Sequence, residues 1–95
     1  MIERHITFDV LPDRTDAFER YFTERYRPPM AASPGFVSAA LLREADGATR
    51  YQMVLRFADA ESASGWRTSE VHRGLQPALE SLHAGMGVQA YEVVA

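Results

Sequence analysis

The chain alternates twice between strand and helix patterns, in an order that leaves few folds open to it. Apolar side chains alternate along Met1 to Val10, which is the period-2 pattern of a β-strand. Aromatic residues then recur at helical spacing from Phe18 to Tyr26. Phe36 to Arg43 and Tyr51 to Phe57 indicate two more strands, joined by a hairpin loop over Glu44 to Thr49.

Capping residues and prolines predict where the helices begin and end. Asp13, Thr15 or Asp16 can cap the first helix, and the pair Pro28-Pro29 should stop it. Asp59 is a good N-cap for a second helix. Ser69 can cap a further helical piece, which Pro77 should interrupt or kink.

The last strand is predicted over Val88 to Val94. The resulting order, β-α-β-β-α-β, is that of an α+β ferredoxin-like fold with an antiparallel sheet.

The second strand predicts a sheet that is apolar on both faces. Phe36, Ala40 and Leu42 should point one way, with Val37, Ala39 and Leu41 on the other side. Right-handed crossovers put both helices on one face, so large apolar groups stay exposed on the other. We therefore predict a homodimer in which two copies pair sheet to sheet.

Composition excludes several classes of function. The 95 residues suit one domain, and the absence of cysteine excludes disulfides, thiolate nucleophiles and iron–sulfur ligation. The net charge is −3 with scattered arginines, which argues against nucleic acid as a partner. No apolar run is long enough to cross a membrane, and the N-terminus has no signal-peptide pattern, so we expect a cytoplasmic protein. Dinucleotide, phosphate-loop, nucleophile-elbow and metal-ligand motifs are also missing, so we expect neither a cofactor nor a metal.

Two residues of the second helical region are candidate catalytic residues. Trp66, the one tryptophan, either anchors the helix in the core or forms the wall of a pocket whose ligand meets its N–H. His72 is either a capping or surface residue, or a general base whose ordinary pKa suits proton abstraction at neutral pH. Candidate substrate-binding residues are Ser62, Tyr21, Phe22, Met53 and Arg67.

Several segments resemble one known family. They are Ser33-Pro34-Gly35-Phe36, the hairpin into Tyr51-Gln52-Met53-Val54, and Asp59 to Ala63 leading into Trp66-x-x-Ser69-x-x-His72. Together they are similar to the antibiotic biosynthesis monooxygenase family of dimeric α/β-barrel proteins, and the resemblance makes residues 1–95 a single domain of this type.

The resemblance implies a function as well as a fold. Each subunit would hold a pocket between its sheet and its helices, and subunits would pair into a barrel. Some members oxidise phenolic intermediates to quinones with O2 and without metal or flavin. Carried onto this chain, Trp66 would be the pocket wall and His72 a base or hydrogen-bond partner.

The sequence departs from the family at two places. Quinone-forming members have an asparagine where this chain has Ser62. Haem-degrading members have a histidine where it has Gln76, and an asparagine on the first strand, where it offers His5 and Thr7. Trp66, His72 and the absence of any cofactor motif favour, as the leading hypothesis, a cofactor-independent monooxygenase acting on a small aromatic or phenolic molecule. The alternatives are a non-catalytic ligand-binding or stress-associated barrel and, less favoured, a haem-binding or haem-degrading protein.

Overall fold

A four-stranded antiparallel sheet with strand order β2-β3-β1-β4 forms the centre of the computed structural model, which describes residues 1–47 and 49–95. The strands are β1 (Ile2–Val10), β2 (Phe36–Arg43), β3 (Arg50–Phe57) and β4 (His83–Glu92). The helical segments are a 3-10 turn (Pro12–Arg14), α1 (Thr15–Tyr21), a π-helical turn (Phe22–Tyr26), α2 (Arg27–Ala31), α3 (Ala60–Arg67) and α4 (Glu70–Glu80). The predicted ferredoxin-like α+β fold is thus confirmed. Of the predicted hairpin loop, Ala48 lies outside the described residues.

The first helical region extends past its two prolines, so the prediction that Pro28 and Pro29 end it is wrong. The π-helical turn precedes α2, and both prolines then fall in the first turn of α2. The backbone is helical without a break through Tyr26, and the Arg27 N–H still donates to the Phe22 carbonyl, so the prolines follow an irregular π-helical turn and not a free helix start. The extra turn places Met30, which is 0% exposed, in the core.

The prediction that Asp13, Thr15 or Asp16 caps the first helix is wrong, because Arg14 stands at the N-cap position of α1 and no side chain caps it.

The predicted caps of α3 and α4 are confirmed. The Asp59 carboxylate accepts the Ser62 N–H at 2.8 Å, and the Ser69 hydroxyl accepts the His72 N–H at 3.1 Å. Helix α4 runs through Pro77 to Glu80 without the expected interruption. Pro77 is exposed, so water can satisfy the carbonyl that loses its bond there.

Strand β4 is longer than predicted, because it begins at His83 instead of Val88, although it ends at Glu92 instead of Val94. Gly85 and Gly87 continue the ladder with β1, opposite Asp9 and Thr7. A Cβ on Gly87 would lie 3.1 Å from the Thr7 hydroxyl oxygen, so a glycine suits this close approach.

The helix-covered face holds the core, and a β-bulge changes the predicted pattern of β2. The register shifts between Phe36 and Ser38, so Phe36 pairs with Phe57 and points toward the helices. The prediction that Phe36 shares a face with Ala40 and Leu42 is therefore wrong.

The open face carries both apolar and polar side chains. Exposed Leu42 and Tyr91 lie there, with Glu3 and His5 from β1 and Gln52 and Arg56 from β3. No helix within residues 1–47 and 49–95 is long and apolar enough to cross a membrane.

Candidate functional site

Helix α3 presents Trp66 to the interior of the protein. Its inward side buries Ala63 and Trp66, and the tryptophan is only 2% exposed. The indole meets the ring of Tyr26 at 5.8 Å and the ring of His72 at 5.3 Å, measured between ring centroids, and both contacts are edge-to-face. Trp66 is therefore part of an aromatic cluster shared by three helical segments.

His72 owes its position to the short link between α3 and α4. The Ser69 hydroxyl donates to the Trp66 carbonyl at 2.8 Å and accepts the His72 backbone N–H. The half-buried imidazole then lies 6.2 Å from the Tyr26 ring, and its Nε2 lies 3.2 Å from Gln76 Nε2. The spacing Trp-x-x-Ser-x-x-His thus has a structural cause, because the serine caps α4 while it also bonds to the end of α3.

A buried arginine, Arg4, belongs to the same region. It is 8% exposed on the helix-covered face of β1, and none of the ion pairs among the described residues includes it. Burial, followed by the charge of Arg67, lowers the pKa of Arg4. Sequence analysis gave Arg4 no role, although a lone charged residue on the same face of β1 as Ile2, Ile6 and Phe8 was a signal that could have identified it.

The environment keeps His72 neutral and Tyr26 protonated. Burial lowers the pKa of His72, and the charges of Arg4 and Arg67 lower it further. Burial likewise raises the pKa of Tyr26, against the smaller opposing effects of the Trp66 N–H and of Arg4. At neutral pH, His72 can therefore accept a proton.

The Trp66 N–H is close enough to Tyr26 to influence its titration, but it forms no hydrogen bond of good geometry. Its Nε1 is buried without a hydrogen-bond partner among the described residues. A buried N–H of this kind can donate to a ligand oxygen at little desolvation cost, because it has already been removed from water.

A cavity of about 600 Å³ lies against Trp66 on the side of α2 and α3. Ser62, Ser69 and Val71 line it with Trp66, and its other lining residues are Pro29, Ala32, Ser33, Pro34, Asp59, Glu61 and Gly65. His72 contacts Trp66 but does not line this cavity. The volume suits a small organic ligand.

A glycine turn sets one wall of this cavity. Gly35 has a φ of 77°, in the left-handed region, and a Cβ placed on it would fall 2.0 Å from the Ser62 hydroxyl oxygen. The turn before β2 therefore packs directly on the first turn of α3 because residue 35 is a glycine.

The other predicted substrate-binding residues do not converge on Trp66. The Tyr21 hydroxyl donates to the Leu75 carbonyl at 2.8 Å. Phe22 is buried and lines a separate cavity of about 490 Å³ with Glu19, Leu41 and Tyr51. Met53 is 0% exposed in the core, and Arg67 is exposed near Arg4 and His72. Of this set, Ser62 shares the cavity with Trp66.

The residues considered for metal and haem chemistry are dispersed. Within residues 1–47 and 49–95, no three His, Asp or Glu side chains converge as a metal site. His5 and Thr7 lie on the open face of the sheet, opposite the Trp66 cluster. His5 is bound there to Glu3, at 2.5 Å between Nε2 and Oε2.

Comparison with known proteins assigns a family to this arrangement. The family model described as "Antibiotic biosynthesis monooxygenase" matches residues 1–78, which include the whole Trp66-x-x-Ser69-x-x-His72 segment. This chain belongs to the antibiotic biosynthesis monooxygenase family. No curated protein sequence matches it significantly.

Solved structures of this family share the fold. A candidate antibiotic biosynthesis monooxygenase from Nitrosomonas europaea superposes with a TM-score of 0.87 at 17% identity, over 100% of both chains. A similar protein from Caulobacter crescentus has a TM-score of 0.88 at 19% identity, over 99% of this chain and 90% of its own. An asparagine-to-alanine variant of SnoaB, a cofactor-independent oxygenase from Streptomyces nogalater, has a TM-score of 0.78 at 19% identity, covering 97% of this chain and 91% of its own. At these identities the likeness concerns the fold alone.

Proposed function

We propose that this protein is a cofactor-independent monooxygenase that oxidises a small phenolic aromatic molecule with O2. The observation that carries the proposal is the position of Trp66, which lines a cavity of about 600 Å³ and also contacts a His72 held neutral by its surroundings. Family membership and the fold likeness to a cofactor-independent oxygenase support it.

In this reaction the protein has only to bind the phenolic substrate and to remove its proton. Loss of the phenolic proton to His72 leaves an electron-rich anion, which passes one electron to O2. Recombination at an aromatic carbon forms a C–O bond, and cleavage of the O–O bond with loss of water gives the quinone. One phenol and one O2 yield one quinone and one water, so the substrate supplies all the electrons.

The proposal makes a geometric demand on the substrate. Because His72 does not line the cavity, the substrate has to extend past the Trp66 ring to reach the imidazole. Asp59 is a poorer base, since the hydrogen bonds it accepts from Ser62 lower its pKa. His72 is therefore the base that we propose, with Trp66 and Ser62 as substrate contacts.

Oxygen consumption by metal-free protein tests the proposal. We expect turnover with a hydroxynaphthalene or an anthrone, and a loss of about 10²-fold or more in kcat for His72→Gln. His5→Gln, on the open face of the sheet, is the matched control and should keep the wild-type rate. Equal rates for the two variants would remove His72 from the mechanism.

The position of His72 outside the cavity lining also favours a second function. The absence of His72 from the cavity lining suits a protein that binds an aromatic ligand without transforming it. In that case His72→Ala leaves ligand affinity unchanged, and no phenol in a broad panel accelerates O2 uptake.

The assembly that we propose is a homodimer joined through the open faces of two sheets. Exposed Leu42 and half-buried Val54, which face the same side of the sheet, support it. The cytoplasmic location stays a prediction.

A further inference from the structure

The charge of Arg4, which lies near Tyr26 and His72, has no counterion among the described residues. Arg4 is 8% exposed, and its guanidinium makes neither an ion pair nor a hydrogen bond among the described residues. Buried arginines are normally paired with an acid or hydrogen-bonded, because desolvating a charge is costly. Arg4 has no such partner among the described residues, and its nitrogens are not among the fully buried unpaired polar atoms, so they are open to a partner from outside the chain.

The groups around Arg4 are cations and hydrogen-bond donors on aromatic rings, without an acid. The groups that shift the pKa values of Arg4, Tyr26 and His72 are arginines, tyrosines and the Trp66 N–H, and no carboxylate is among them. Trp66 adds a buried N–H without an acceptor. Two cationic side chains and an unused donor near three aromatic rings are complementary to an aromatic anion.

The strand beside Arg4 leaves an approach to this region. Arg4 is opposite Ala90 in the β1–β4 ladder, and Ile6 is opposite Val88, so these side chains share the helix-side face of the sheet. Ala90 and Val88 are nevertheless exposed. Arg4 can therefore be approached along β4, outside the cavity that Trp66 lines.

We propose that Arg4 is a specificity-determining residue that selects aromatic ligands carrying a carboxylate. The inference rests on the proposed function for the aromatic nature of the ligand. It adds that the ligand is negatively charged. Arg4, with exposed Arg67 nearby, recognises that charge.

Binding measurements test this proposal apart from turnover. Quenching of the fluorescence of Trp66, the one tryptophan in the chain, would follow titrations with 1-hydroxy-2-naphthoate and with neutral 1-naphthol. We expect the naphthoate to bind about tenfold or more tightly than the naphthol, as a charge-assisted hydrogen bond would give. Equal affinities for the two compounds would overturn the proposal.

Variants of Arg4 separate recognition from a structural role. Arg4→Met should abolish the preference for the naphthoate, and Arg4→Lys should keep part of it. Arg50→Met removes an exposed arginine paired with Asp9 and should leave the preference intact. A preference that survives in Arg4→Met would contradict the proposal.

The stability of the ligand-free variant is the second readout. Because Arg4→Met removes a desolvated charge that has no acid partner, it should melt at the same temperature as the wild type or higher. A large drop in melting temperature would show that Arg4 serves the fold, and would overturn the proposal. If the naphthoate preference is present but no O2 is consumed, the proposed oxygenase function fails while this inference stands.

Discussion

The roles of Trp66 and His72 depend on their neighbours in the structure, and the sequence alone left alternatives open for both. Trp66 is buried in the core and also lines a cavity, so its burial alone does not decide between a core anchor and a pocket wall. His72 is positioned by Ser69, yet it lies outside the cavity lining. The structure is needed to identify Arg4, because residues distant in sequence determine whether it has an acid partner.

Acidification should reveal the lowered pKa of His72. The unfolded chain binds a proton at His72 more readily than the folded protein does, so the free energy of unfolding is highest above the ordinary pKa of 6.5. It falls as the pH drops from there through the lowered pKa of the folded state. Urea unfolding at about pH 8 and at about pH 5 should show a smaller loss in His72→Gln than in the wild type. His5→Gln is the control, and an equal loss in all three proteins would contradict burial of a neutral His72.

Gly35 should be intolerant of a side chain. Gly35→Ala places a Cβ in the left-handed region and against Ser62, so we expect a loss of about 1 to 2 kcal/mol from the backbone alone. Gly74→Ala, in the open middle of α4, should instead stabilise the protein by about 0.5 to 1 kcal/mol. Chemical denaturation measures both, and a Gly35→Ala protein as stable as Gly74→Ala would refute the close packing of this turn.

At the scale of elements, the link between α3 and α4 fixes the site. Ser69 bonds to Trp66 on one side and to His72 on the other, so one hydroxyl couples the end of one helix to the beginning of the next. The geometry of the aromatic cluster therefore depends on a cap.

Removing that cap should weaken both the fold and the site. We expect Ser69→Ala to cost about 1 kcal/mol of stability and to lower the oxidation rate, because His72 loses its anchor. Ser64→Ala, in the neighbouring helix, is the control and should change neither. Denaturant unfolding and O2 uptake are the measurements, and an unchanged rate in Ser69→Ala would show that the cap does not position His72.

Locally determined features could be predicted from the sequence, and features that depend on tertiary packing could not. Asp59 and Ser69 act within one helical turn, so their residue types were sufficient to predict the caps. The sequence pattern did not indicate the π-helical turn at Phe22–Tyr26 or the bulge after Phe36. Pro28 and Pro29 follow the π-helical turn within the helical region, and the bulge accompanies the position of Phe36 on the inner face.

The candidate site was predictable to a similar extent. The spacing from Trp66 to His72 indicated two residues on adjacent turns of the chain, and their rings do meet. The grouping of Tyr21, Phe22 and Met53 with them was not predictable, because helical spacing does not say which part of the sheet a residue faces.

For the whole molecule, sheet-to-sheet pairing is the principal prediction. We expect light scattering to give twice the mass of the chain for the wild type, and Leu42→Asp to shift the protein toward monomer by burying a charge in the interface. Val71→Asp, at a similarly exposed valine on the helical side, is the matched control and should stay dimeric. A dimer unaffected by Leu42→Asp would locate the interface elsewhere.

Transfer of an oxygen atom from O2 to a phenol is the central claim, and isotope labelling tests it most directly. Metal-free protein turning over an anthrone under ¹⁸O2 should place one labelled atom in the quinone, at a rate far above that of the solution without protein. Quinone with unlabelled new oxygen, or formation no faster than the protein-free background, would contradict it.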